Sequence, residues 1–331
     1  MRFGVGLIVA FVLALAGAQG LRAEVAEVTL AKQFGLLYHQ ITVMEDQKLI
    51  EKHAKAFGLD TLKVSFQQLG STGAMTDAIL SGSLNVASGG IPGFLLLWDR
   101  TKGEMKGIGG LTAYNSYLVT NNPNVKTLKD LTEKDRIALP VAKISPQALY
   151  LQMEAEKIWG EKQYTKLDAQ TITRAHPDSL AALLSKNTEI TGHYSTAPFQ
   201  QRALREPGIT KVTSGYQAMG PHTPTMMYVS AKFARENPKV TQALVNALKE
   251  ATDIIKSDKK AAAELYLKIN KGKETVEEIV AIFNDPETEI TYVPRGTLKF
   301  AAFMQKIGLM KNKAATMDDL FLPIPEIVAG N

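Results

Sequence analysis

The sequence predicts an α/β protein built from two strand-and-helix units, and three observations carry that reading. Short strands alternate with amphipathic helices over residues 28–113, and the alternation begins again over 136–213. No internal repeat, low-complexity tract or Pro/Ser-rich linker separates the two runs, so strands join the units rather than a flexible tether. Within residues 70–94, GSTGAMTDAILSGSLNVASGGIPGF, two loops of small residues each feed a helix. In a parallel sheet such loops share one edge, so the two helix starts converge there.

Taken in order, VTLAKQF (28–34) reads as the first strand, and a loop from Gly35 to His39 leads into an amphipathic helix that ends near Gly58. Residues 63–67 alternate as a second strand. Ala74, Met75, Ala78 and Ile79 share a helix face, with Ser71 or Thr72 at the N-cap and Gly82 at the C-terminal stop. Leu84 and Val86 mark a short strand, after which Ser88, Gly89 and Gly90 read as a loop before Pro92 in the first turn of a buried apolar helix. Residues 106–113 and 116–120 are extended. In the second unit, strands are expected at 136–140, 170–175, 189–193 and 209–213, and helices at 145–159, 177–184 and 198–204. A strand at 225–230, a long helix capped by Asn237, helices at 261–269, 275–283 and 298–307, and a strand at 288–293 complete the chain. The tail, 318–324, is expected on the surface near an edge.

At 331 residues with 45% apolar and 21% charged composition, the chain is long enough for two ordinary domains and is not of disordered type. Arg2, an apolar run over 4–16 and then small residues form the pattern of a cleaved export signal over residues 1–23, with cleavage after Ala18 or after Ala23. Removing Arg2 and Arg22 with it lowers the formal charge from +5 to +3. The absence of cysteine excludes disulfides, thiol catalysis, Cys-containing metal sites and a lipoprotein anchor. The expected product is free in the periplasm, without a stable membrane anchor. No basic cluster interleaved with aromatics points to nucleic acid. No GxSxG, HExxH or phosphate-loop motif points to an enzyme, and no cofactor is implied.

The QFG after the first strand, the stretch LGSTGAMTDAILSGSLNVASGGIPGF, the helix opening SPQALYLQMEAEKIWG and the NPKV cap together resemble solute-binding proteins of the nitrate, sulfonate and taurine class of ABC importers. The resemblance runs from about Val28 to the C-terminus. It implies a type II periplasmic binding protein fold, two α/β lobes joined by two hinge crossovers, with lobe one over 24–115 and 222–331 and lobe two over 116–221. It also implies a small-molecule ligand held between the lobes of a monomer, and delivery to a membrane permease served by an ATPase. Members of this class carry nitrate, taurine, alkanesulfonates, bicarbonate or thiamin-precursor pyrimidines. A small organic anion, foremost an aliphatic sulfonate, is the expected ligand. Nitrate, bicarbonate, an aromatic carboxylate, a pyrimidine or a sensory role are the alternatives.

Matching loops supply the candidate ligand residues. Lobe one offers Gln33 and Tyr38, then Ser71, Thr72 and Gly73, then Ser88, Gly89 and Gly90; lobe two offers Lys143, Ser145 and Gln147, then His193, Tyr194 and Ser195. His222 is a weaker candidate, and Tyr38, Tyr114, Tyr194 and Phe199 are candidate walls. Ser145 before Pro146 also suffices as a plain N-cap, and Lys143 and His193 each have an ordinary structural role open to them. A helix N-terminus contributes about 0.3–1 kcal/mol to a nearby anion, whereas micromolar affinity needs about 8 kcal/mol. Direct hydrogen bonds and apolar contacts must therefore supply most of the binding. None of these loops contains an arginine.

Overall fold

The computed structural model describes residues 23–185 and 189–330. The export signal expected over 1–23 lies, Ala23 apart, outside the described residues. The chain opens with β1 (Glu27–Lys32), α1 (His39–Asp46), α2 (Leu49–Ala56), β2 (Lys63–Gln68), α3 (Thr72–Ser81), β3 (Val86–Gly90), α4 (Ile91–Arg100) and β4 (Met105–Gly110). The single helix expected up to Gly58 is two helices, because Lys48 takes a left-handed φ of 50° between them.

After β4 the chain crosses to a second sheet through β5 (Tyr117–Thr120), followed by β6 (Ile137–Leu139), α5 (Pro146–Trp159), β7 (Thr171–Thr173), α6 (His176–Leu184), β8 (Gly192–Ser195), α7 (Phe199–Leu204), β9 (Thr210–Ser214) and α8 (Gly215–Met219). It returns through β10 (Thr225–Ser230) and ends in α9 (Ala231–Glu236), α10 (Pro238–Ser257), α11 (Lys259–Asn270), α12 (Val276–Phe283), α13 (Thr297–Lys306), α14 (Met317–Leu320) and α15 (Pro325–Val328).

The strand orders are β2-β1-β3-β10-β4 and β7-β6-β8-β5-β9. In each sheet the first three strands are parallel and the fourth is antiparallel to both its neighbours. That antiparallel fourth strand, β10 or β5, is in each case the segment that has just crossed from the other sheet. Parallel pairing forces the loops after β1 and β3 to one edge, and those after β6 and β8 to the facing edge of the other sheet.

The expected strand at 288–293 is absent. Its residues meet the first crossover through a single bridge, Ala113 to Glu289, while Gly110 N–H donates to Tyr292 O. On the same edge Gly107 bridges Phe321, and Phe321 and Leu320 are buried. The tail is thus core at this edge, correcting its surface assignment: these two segments cover the open side of β4, which would otherwise present unpaired backbone. Sequence periodicity could not separate such an edge cover from a strand.

Gln40 ties the first crossover to the helices behind it. It is buried, donates from Nε2 to Thr252 Oγ1 (2.7 Å) and Thr291 O (3.0 Å), and accepts at Oε1 from Thr112 N–H (2.8 Å) and Thr112 Oγ1 (3.0 Å). Replacing Gln40 by Leu leaves several of these buried partners unsatisfied, at about 1–3 kcal/mol each. Urea unfolding of Gln40→Leu is expected to show a loss of about 3 kcal/mol or more; a change within experimental error would refute the role assigned to this residue.

Candidate functional site

The sheet edges meet across a cavity of about 170 Å³. On the first-sheet side, Ser71 caps α3 by accepting from Ala74 N–H (3.2 Å), as its position before a helical apolar face requires, and Gly82 ends the helix with φ 78°. This places Thr72 and Gly73 on the cavity wall. Thr72 Oγ1 accepts from Gln33 Nε2 (3.1 Å) and from Gly90 N–H (3.3 Å), so one hydroxyl fixes the loop after β1 against the start of α4. Thr225, which lies opposite Gly90 in the β3–β10 register, completes the floor.

On the second-sheet side, Ser145 caps α5 by accepting from Ala148 N–H (3.2 Å), with Pro146 in the first turn, and Gln147 faces inward. Gln147 is 3% exposed and its Oε1 has no partner among the described residues. The two sides touch at Gly90. A Cβ there would lie 2.8 Å from Pro146 Cδ, which is why glycine is required at this point. Leu36 N–H also donates across the gap to Ala197 O (3.0 Å).

Of the residues singled out in the sequence, the cavity brings together Gln33, Tyr38, Thr72, Gly73, Gly90, Ser145 and Gln147. It does not bring in the others. Ser88 and Gly89 belong to β3 rather than to a loop; Ser88 is fully buried and its hydroxyl donates to Ala31 O (2.5 Å), while Gly89 makes room for Thr72. His193, Tyr194 and Ser195 belong to β8 and are fully buried, not in the loop after it. Runs of serine and glycine look like loops by composition, but here small residues are used inside strands where α3 and α4 press close. Lys143 is exposed with a left-handed φ of 70°, its charge acts on Asp168, and it lies off the cavity wall.

Of the candidate walls only Tyr38 lines the cavity; Tyr114 lines a separate hollow at the crossovers, and Phe199 stacks behind His176 at 5.8 Å. His222 lines that same hollow. Gly220 O accepts from its Nδ1–H (2.7 Å), so its Nε2 accepts from Tyr150 Oη (2.5 Å), and burial lowers its pKa to about 4.

Three titratable lining residues were not among the candidates taken from the sequence: His176, Asp77 and Arg100. His176 lines the cavity, and its Nδ1 shares a hydrogen bond with His193 Nε2 (2.9 Å). Burial lowers the His176 pKa to about 3 and holds that of His193 well below the usual range, first through burial and then through His176. The pair is therefore neutral near pH 7. Burial likewise keeps the Tyr38 phenol protonated. The inner end of the cavity offers neutral hydrogen-bonding groups only. A histidine just ahead of the expected helix start, in His-Pro, was the available signal for His176; nothing marks Asp77 or Arg100 before the helices are placed. Among the described residues no cluster of acidic or histidine side chains could hold a metal ion.

This architecture is that of a periplasmic binding protein: two mixed sheets, two crossovers and a cavity between the facing edges. A family model described as NMT1-like family matches residues 22–269, most of the chain, and the protein belongs to that family. Solved structures agree in fold. The alkanesulfonate-binding protein SsuA from Xanthomonas axonopodis pv. citri, bound to MOPS, superposes with a TM-score of 0.67 at 13% identity, covering 90% of this chain and 99% of the other. The periplasmic aliphatic sulphonate binding protein SsuA from Escherichia coli gives 0.66 at 16%, covering 90% and 98%. The periplasmic nitrate-binding protein NrtA from Synechocystis PCC 6803 gives 0.68 at 16%, covering 90% and 86%. No curated protein matches. Among the described residues no helix is long and apolar enough to cross a membrane.

Two outcomes follow from the side-chain environments. Ser88→Ala removes the bond to Ala31 O, which keeps its place in the β1–β3 ladder, and is expected to cost about 0.5–1.5 kcal/mol of stability while leaving the affinity of any cavity ligand within about twofold of wild type; titration calorimetry beside urea unfolding separates the two. The neutral buried histidines His39, His176, His193 and His222 have folded pKa values below the unfolded value of about 6.5. The unfolded chain alone takes up protons just below pH 6.5, so their contribution is complete above that pH. It is lost toward pH 4 at up to about 1.4 kcal/mol per pH unit for each histidine. Unfolding curves that coincide at pH 7 and pH 5 would contradict this.

Proposed function

We propose that the protein is the solute-capturing component of an ABC importer, acting in the periplasm as a monomer and passing its ligand to a membrane permease with an attached ATPase. The observation that carries this reading is the cavity itself. Its wall is drawn from the loops after β1, β6 and β7, from α3 and α4 and from the ends of β3 and β10, so elements packed on both sheets contribute to one small enclosure. The lobes are assigned as 24–115 with 222–331, and 116–221, hinged at the two crossovers. A ligand bridging Thr72 and Gln33 on one side to Ser145 and Gln147 on the other makes its full set of contacts only when the lobes are together, and it therefore shifts the population toward the closed form.

The volume, about 170 Å³, lies well below the range of roughly 300–1,000 Å³ usual for drug-sized ligands and suits a small solute. The hydroxyls of Tyr38 and Ser145, the amide of Gln147 and the free N–H groups opening α3, α4 and α5 all serve as donors, and none carries charge. Such a set suits the oxygens of a small organic anion without requiring a buried cation. An aliphatic sulfonate or taurine-like compound is the first candidate.

Thermal unfolding with taurine, alkanesulfonates, nitrate, bicarbonate, aromatic carboxylates and pyrimidines tests the reading. A true ligand at a hundredfold over its Kd stabilises by about 2.7 kcal/mol. Gln147→Ala is expected to weaken that ligand by about tenfold, with little loss of free-protein stability because Gln147 Oε1 holds no protein partner. Stabilisation by neutral compounds alone would refute an anionic ligand.

A further inference from the structure

The cavity is long rather than round. Gly93, Leu97 and Arg100 fall on one face of α4 and line it together with the N-cap residue Gly90, so the wall runs along the helix for about 10 Å from Gly93 at 1.5 Å per residue. Its inner end is polar and uncharged. Its middle is apolar, formed by Leu96, Leu97, Val141 and Ile144. At the outer end stands Arg100, exposed and in no ion pair among the described residues.

Beyond Arg100 the space continues into an open groove whose walls include Leu96, Ile144, Lys102 and Lys311. The nearby carboxylate of Asp99 is turned to the other wall, accepting from Lys311 N–H and Asn312 N–H. Asp77 is the other charged residue on the cavity wall. It sits five residues into α3, about 7 Å from the helix start, level with the apolar middle. An anionic group is therefore disfavoured halfway along and favoured at Arg100.

We propose that the physiological ligand is two-ended: an acceptor-rich head at Gln147 and Tyr38, an apolar spacer past Leu97 and Ile144, and a second, anionic group at Arg100. This rests on the solute-binding reading above and narrows its ligand class to sulfonates or carboxylates that carry a second anionic group, setting aside taurine, whose far end is an ammonium. A single-ended anion such as nitrate would occupy only the inner third.

Isothermal titration with straight-chain dicarboxylates from glutarate to sebacate, monocarboxylates of equal length and the matching ω-amino carboxylates tests it. Dicarboxylate affinity is expected to pass through a maximum with chain length and there to exceed the equal-length monocarboxylate by about tenfold. Arg100→Gln should abolish that advantage while leaving the monocarboxylates within about twofold, and Asp77→Asn should raise dicarboxylate affinity. An advantage that survives Arg100→Gln, or tighter binding of the ω-amino series, overturns the proposal. If small single-ended anions stabilise the protein and none of the longer compounds gains from its second charge, the two-ended ligand falls and the solute-binding reading stands. If no compound binds, including the small anions, both fall.

Discussion

Everything about this molecule hangs on backbone pairing at the two crossovers. β10 is hydrogen-bonded between β3 and β4, and β5 between β8 and β9, so each crossing segment enters its new sheet as an interior strand. An interior strand cannot slip by a residue without turning its buried face outward. The crossovers are thereby anchored at both ends, leaving residues 111–116 and 215–224 between the two sheets. The same pairing sets Thr225 beside Gly90 and so completes the cavity floor.

The cavity is polar without being charged within. Burial keeps His176 and His193 neutral, and their mutual hydrogen bond uses one nitrogen of each ring. Across the sheets, Arg202 reaches the buried Glu274 at 2.6 Å and Lys306 reaches Glu156 and Glu161 at 2.8 and 2.9 Å. The ionic contacts between the two halves thus lie outside the cavity, where they hold the halves together without competing for what enters. The exposed members of this set contribute little individually, the buried Arg202–Glu274 pair more.

Much of this was legible in the sequence because helix ends obey local rules. Ser71 with Gly82, and Ser145–Pro146 with Gly160, mark their helices by capping chemistry alone, and the structure places them there. Thr72, Gly73, Ser145 and Gln147 followed from those marks. What failed did so for tertiary reasons. Ser88 and Gly89 are strand residues, Gly89 leaving room for Thr72, and His193–Ser195 lie inside β8, which runs two residues further than the expected strand. Arg100 is ten residues beyond Gly90 in sequence, and only the straight run of α4 along the cavity makes it a wall residue. Sequence spacing carries the period of a helix, but which neighbour the helix lies against comes from the other sheet.

One contact described above bears on how such a protein changes over time. The bond from Leu36 N–H to Ala197 O joins the two halves through main-chain atoms, and the close approach at Gly90 is likewise a matter of backbone and of a side chain left out. Neither depends on the identity of Gln33, Gln147 or Arg100. The grip of one half on the other is therefore separable from the chemistry of what they enclose. Substitutions at the cavity wall can therefore reshape the enclosed space while the docking of the two halves is inherited intact.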